Sequence, residues 1–260
     1  MKPTTKFLTI FNTVALILTI AFNYFSNAGM LNGNSMKTIS DRYASYFTPA
    51  GYAFSIWGLI YLGLTGFICY SIIKRKDQKT QAIVTNIGWW FIFSCLANSL
   101  WVIAWLNDHL ILSVILMVVL LFSLTVVIDR TRMELDAHPL KEYVFIYWPF
   151  ALYAGWITVA LIANVSALLT KLRWDGWGIP AQHWAVGMIV VAGLVNVIMV
   201  KSRNLREFAA VGIWALIAIA NNGQPDNALI IYTCYGVSVV IFGFVIVNGM
   251  KSQERSIHSM

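Results

Sequence analysis

Long apolar runs separated by short polar connectors set the pattern of this chain. The runs lie at 7–24, 52–73, 83–106, 110–128, 143–169, 183–200, 208–220 and 228–247. A helix needs about 20 apolar residues to cross a bilayer, so the pattern predicts an all-α polytopic membrane protein with about eight transmembrane helices. The seventh run has only thirteen residues, which suits a span with little tilt, a re-entrant segment, or one extended through Asn221 and Asn222.

The connectors carry the charge. With the N-terminus inside, the alternate inner segments hold 14 of the 18 Lys and Arg residues, and the outer ones only Lys37, Arg42, Lys171 and Arg173. Inner loops of membrane proteins are enriched in Lys and Arg, so the tally supports eight spans with both termini cytoplasmic, and the expected location is the cell's inner or plasma membrane. A second reading takes Lys2, Lys6 and the first run, ending near Ser26, Asn27 and Ala28, as a cleaved secretory signal. That run exceeds the usual 7–15 residues of such a signal, and cleavage would leave seven spans.

Composition agrees with the membrane reading. The 260 residues are 59% hydrophobic and 11% charged, against roughly one quarter charged in soluble domains. The net charge of +7 does not indicate nucleic acid, because the cations fall in short clusters between apolar runs rather than on one face. Cys69, Cys95 and Cys234 lie inside apolar runs, where a free cysteine behaves as a small hydrophobe, and their odd number does not suit a disulfide framework.

The connector 25–50 is the longest and is rich in Asn, Ser, Gly and Thr, as expected of a loop or short interfacial helix. The segment 129–142 is mixed in charge and contains Pro139, and Trp174, Gly176, Trp177 and Pro180 suit an interfacial loop. Asp108, His109, Glu207 and Asp226 sit at turns or span ends, so no buried carboxylate suggests an ion-driven pump. Spans six to eight lack the internal Lys that a retinal protein requires. The four His residues have no paired ligand spacing, so no metal site is expected. The sequence has no nucleophile or phosphate-loop motif and no acid/base pair, so it is read as a non-enzyme.

Aromatic and amide residues repeat on helical faces instead. Trp57, Tyr61 and Thr65 share one side of the second span, and Asn98, Trp101 and Trp105 one side of the third. Pro149, Tyr153, Trp156, Ala160 and Asn164 form a stripe on the fifth. These three helices are expected to point Trp and Asn at one cavity in the outer half of the membrane. The stripes also have a structural explanation: Trp and Tyr enrich at membrane interfaces, which covers Trp105, Trp148, Trp174, Trp177 and Trp184, and buried Asn joins helices. Ala151 and Gly155, four residues apart, permit close helix contact within the chain or in a homodimer.

At these residues the sequence resembles the TspO/MBR family of tryptophan-rich sensory proteins, which includes the mitochondrial translocator protein. Pro49, Trp57 and Tyr61 reproduce the spacing of its second helix, Asn98 and Trp101 the Asn-x-x-Trp of its third, and Trp156 and Asn164 the Trp and Asn of its fifth. The resemblance covers roughly residues 1–170 as a five-helix bundle, leaving three further helices over 171–260. Gly51 stands where the family commonly has Trp, Ser94 where it has Gln, and Pro149 lies seven rather than four residues before Trp156. The family is usually described with its first loop cytosolic, whereas the charge tally places 25–50 outside.

The resemblance implies a sensory, signalling or ligand-binding protein for tetrapyrroles or sterol-like molecules. It implies no resident cofactor, with porphyrin or haem as a non-covalent ligand in a mostly apolar cleft. Pro49, Trp57, Tyr61, Asn98, Trp101, Tyr153, Trp156 and Asn164 are its candidate ligand-binding residues, with 25–50 as the lid. The expected partners are thus the lipid bilayer, a small hydrophobic ligand and a second copy in a homodimer, with no nucleic acid. By family analogy a light-dependent degradation of porphyrin is a further reading. The alternative is a transporter of a small hydrophobic or neutral solute, suggested by the broken segment Asn221, Asn222, Gly223, Gln224 and Pro225.

Overall fold

The computed structural model describes residues 3–30, 33–136, 138–222 and 228–258, and among them every regular element is helical. The helices are α1 (Pro3–Asn27), α2 (Met36–Arg42), α3 (Ile56–Ile73), α4 (Gln78–Ile87), α5 (Trp90–Leu106), α6 (Leu110–Arg130) and α7 (Leu140–Glu142). They continue with α8 (Trp148–Lys171), α9 (Ala181–Arg203), α10 (Arg206–Ala220) and α11 (Ala228–His258). Six helical segments are long and apolar enough to cross a membrane, and α4 with α5 makes a seventh, bent by 47°. The 15 residues of α10 reach about 22 Å, short of the roughly 30 Å hydrocarbon core. With α10 as the shortest, eight helical segments answer to the eight runs. Gly223, Gln224 and Pro225 of the broken segment behind the transport reading lie outside the described residues.

Five helices close a ring in the order α1, α5, α6, α8, α3 and back to α1. The other three form a second layer on one side of it, in which α10 lies against α8 while α9 and α11 pack on α10 and on each other. Apolar burial offers little drive between helices in lipid, so small residues and polar contacts govern the fit. A Cβ on Gly155 of α8 would lie 2.7 Å from the backbone oxygen of Phe208 in α10. Gly155 thus serves a contact within the chain.

The third run is not one straight helix. Gly88 closes α4 at φ 56° and ψ −138°, a conformation open to residues without a Cβ, and α5 leaves at a new angle. Pro149 has no N–H to offer the carbonyl four residues before it. A π-helical turn over Tyr143–Tyr147 directly precedes α8 and accommodates the mismatch without breaking the span.

The charges collect at the two ends of the bundle. At one end Lys171 pairs with Asp108, whose carboxylate also accepts a 2.8 Å bond from the Tyr43 hydroxyl. At the other end Arg203 pairs with Asp129, and Asn204 caps α9 in the left-handed conformation and accepts a bond from Asn248. Glu134 lies beside Asn204 at that end. Burial, then repulsion from Glu207, pushes its carboxyl up from 4.5 to about 7, with Arg206 opposing.

Between those values the folded chain holds a proton that the unfolded chain has released, so stability falls as pH rises from about 4.5 through 7. Glu134→Gln should flatten that fall and raise the melting temperature at pH 8 by about 2–4 °C. Melting curves of parent and variant at pH 5 and pH 8 check it, and a parent that gains stability towards pH 8 would contradict it.

Candidate functional site

The three aromatic stripes meet inside the ring at Trp57. Its ring stacks on Tyr61 at 5.5 Å between centroids and lies 6.2 Å from Trp101. It meets Tyr153 edge-on at 5.7 Å and Trp156 at 6.4 Å. Trp101 in turn stacks on Trp105 at 6.2 Å. Each helix contributes through its periodicity: residues three, four or seven apart present one face, and the faces of α3, α5 and α8 converge.

A cavity of about 40 Å³ lies beside this cluster. Among the expected residues Pro49, Trp57, Trp101, Trp156 and Asn164 line it, together with Ser40, Thr48, Phe54 and Trp105. Tyr61, Asn98 and Tyr153 do not line it; Tyr61 and Tyr153 sit against Trp57, and Asn98 is fully buried on α5. The space suffices for water and is well below the roughly 300–1,000 Å³ of small-molecule pockets. A planar ring system requires the aromatic side chains and the lid to move apart.

The connector 25–50 lies beside the site, with Ser40 of α2 and Thr48 and Pro49 lining the cavity. It is fastened at several points. The Trp105 indole donates to the Met36 carbonyl at 3.2 Å, Asn34 donates to the Leu106 carbonyl at 3.1 Å, and the Ala50 N–H donates to Ala218 of α10 at 2.9 Å. Trp105 therefore departs from its interfacial expectation: it is buried because its N–H holds the lid. Thr65 departs from the α3 stripe and is exposed.

The hydrogen bonding sorts the candidates. Asn164 accepts from the Ser113 hydroxyl at 2.9 Å and turns its amide nitrogen to the Met117 sulfur, so its polar atoms link α8 to α6. Asn98 accepts from Asn23 of α1 at 2.8 Å and also interacts with the Tyr153 hydroxyl. Among the described residues the indole nitrogens of Trp57, Trp101 and Trp156 and the hydroxyl of Tyr61 have no hydrogen-bond partner, although all are buried. Unpaired buried donors cost about 1–3 kcal/mol each, and four of them lie around one aromatic cluster. No ionisable group other than the Tyr61 phenol belongs to the set.

Sequence reasoning did not single out Ser40, Thr48, Phe54 or Asn23. The polar spacing of α1 was the available signal for Asn23, whereas the loop residues carry no periodic signal.

Comparison with curated proteins and with solved structures finds no significant match. The model of the TSPO-like protein family matches residues 9–247, through the Trp cluster and on across α9, α10 and most of α11. The match extends beyond the first five spans that carry the sequence resemblance, and the chain belongs to the TSPO-like protein family.

Proposed function

We propose that this membrane protein binds a flat hydrophobic molecule, a tetrapyrrole or a sterol-like lipid, at the Trp57 cluster. The observation that carries the reading is the set of four buried donors on Trp57, Tyr61, Trp101 and Trp156, which have no partner among the described residues. A ligand that stacks on indole and offers acceptors would satisfy them. Binding widens the 40 Å³ cavity by lifting Pro49 and Thr48 with the lid. Sensing or transport would both begin with this step, and the absence of an acid/base pair beside the cavity favours binding over catalysis.

Protoporphyrin titrated into the purified chain should quench Trp fluorescence saturably. Trp101→Phe keeps an aromatic ring and removes the indole donor, and Asn98→Leu removes the amide beside the cluster. Each should weaken binding at least tenfold, about 1.4 kcal/mol. Affinities equal to the parent in both variants would place the ligand elsewhere.

We also take the end that bears Arg203, Arg206 and Lys74 as the cytoplasmic face, with both termini there, because the Lys and Arg excess marks that side. A reporter active on one side only, fused to either terminus, reads this assignment directly.

A further inference from the structure

The buried face of α1 is polar and its lipid-facing side is apolar, the reverse of a surface helix in a soluble protein. Thr5, Thr9, Asn12, Thr19, Asn23 and Ser26 are all buried, with Leu8 and Leu16 interleaved, and Phe7, Phe11, Val14, Ile17 and Leu18 are exposed. Steps of three, four and seven residues keep the buried set on one face.

Partners for this face come from α4 and α5. The hydroxyls of Thr5 and Thr85 lie 3.5 Å apart. Thr19 Oγ1 lies 3.2 Å from the Cys95 carbonyl and 3.3 Å from the Ser99 hydroxyl, and Asn23 donates to Asn98. Asn12 stands between these contacts. It is 1% exposed, and neither of its amide atoms has a hydrogen-bond partner among the described residues. It lies eight residues into the span Thr4–Ser26, about 12 Å deep by helical rise. The polar line therefore runs from the start of α1 to Asn98, one turn before Trp101 of the cavity.

We infer that the seam between α1 and α5 is a path along which water and small neutral hydrogen-bonding solutes pass between the N-terminal end of α1 and the Trp-lined cavity. The Thr9, Thr19 and Ser26 hydroxyls donate to carbonyls of α1 itself and keep lone pairs as acceptors, while Asn12 has both its donor and its acceptor open, so a solute exchanges one set of hydrogen bonds for the next. The stripe carries no ionisable side chain, so an ion would shed its hydration without meeting a counter-charge. Leu16 is the apolar side chain between Asn12 and Thr19 on the stripe and forms a constriction of the kind that gates by dewetting. The inference does not depend on the identity of the cavity's ligand.

Hydroxyl-radical footprinting of the purified full-length chain tests it, because radicals formed in held water oxidise the side chains beside that water. Leu8 and Leu16 should be labelled at least tenfold faster than Leu64 and Leu120, which are as deeply buried within the ring. Asn12→Leu should reduce Leu16 labelling by a similar factor. Equal labelling of the four leucines in the parent, or unchanged Leu16 labelling in Asn12→Leu, would show a dry seam and overturn the inference.

Selectivity for neutral solutes is read from Thr9→Cys, followed at its own peptide. After normalisation to free cysteine, a neutral hydroxyethyl thiosulfonate should react at least tenfold faster than its trimethylammonium analogue. Equal rates would contradict a neutral path.

Discussion

Gly155→Leu should lower the melting temperature by roughly 10 °C and loosen the second helical layer from the ring. A Cβ at this position would lie 2.7 Å from the Phe208 carbonyl oxygen and 3.1 Å from its Cα. Backbone cannot swing aside as a side chain does, so α8 and α10 must move apart along their length. Overpacking costs about 1–3 kcal/mol in ordinary cores, and a backbone wall puts this substitution at the upper end. Gly58 is the internal control, because no atom lies within 4 Å of a Cβ built there. Gly58→Ala should be neutral or stabilise by up to about 1 kcal/mol through helix propensity. Thermal unfolding in one detergent compares the two, and a Gly155→Leu protein that melts with the parent would mean that α8 and α10 are not in backbone contact.

The second large effect is expected at Trp57. Its ring touches Tyr61, Trp101, Tyr153 and Trp156, so Trp57→Ala removes the body around which the three stripes assemble. Large-to-small aromatic changes in cores cost about 3–5 kcal/mol. The loss should exceed that of Trp177→Ala by several kcal/mol, because Trp177 is 76% exposed and surface changes usually stay within about 0.5 kcal/mol. Denaturation of the two variants side by side measures the difference. Equal losses would show that the aromatic cluster does not hold the ring together.

The legibility of the fold followed the reach of each signal. Apolar runs located the eight helical segments because span length is a local property of sequence. The break at Gly88 escaped the same reading, since a hydropathy window averages over one glycine and its φ of 56° is a property of backbone. The Trp stripes were legible by period, and Trp57, Trp101 and Trp156 converge. Asn164 shows where period stops: its face was predictable, but Ser113 and Met117 as its partners depend on how α6 sits against α8. Trp105 was read as an interfacial residue because the Met36 carbonyl that it binds lies 69 residues away. The polar stripe of α1 was present in the sequence as spacing, yet its inversion becomes visible only when burial shows which side faces lipid.

The lid's attachment to Ala218 has a mechanical consequence. Pro49 faces the cavity and the adjacent Ala50 holds α10 by a backbone bond, so the latch of the chamber is fixed to a post outside its wall. Lifting the latch loads that post, and α10 passes the strain to α9 and α11, which pack on it. On the proposed binding, an occupied and an empty chamber would therefore differ in tension on α9 and α11.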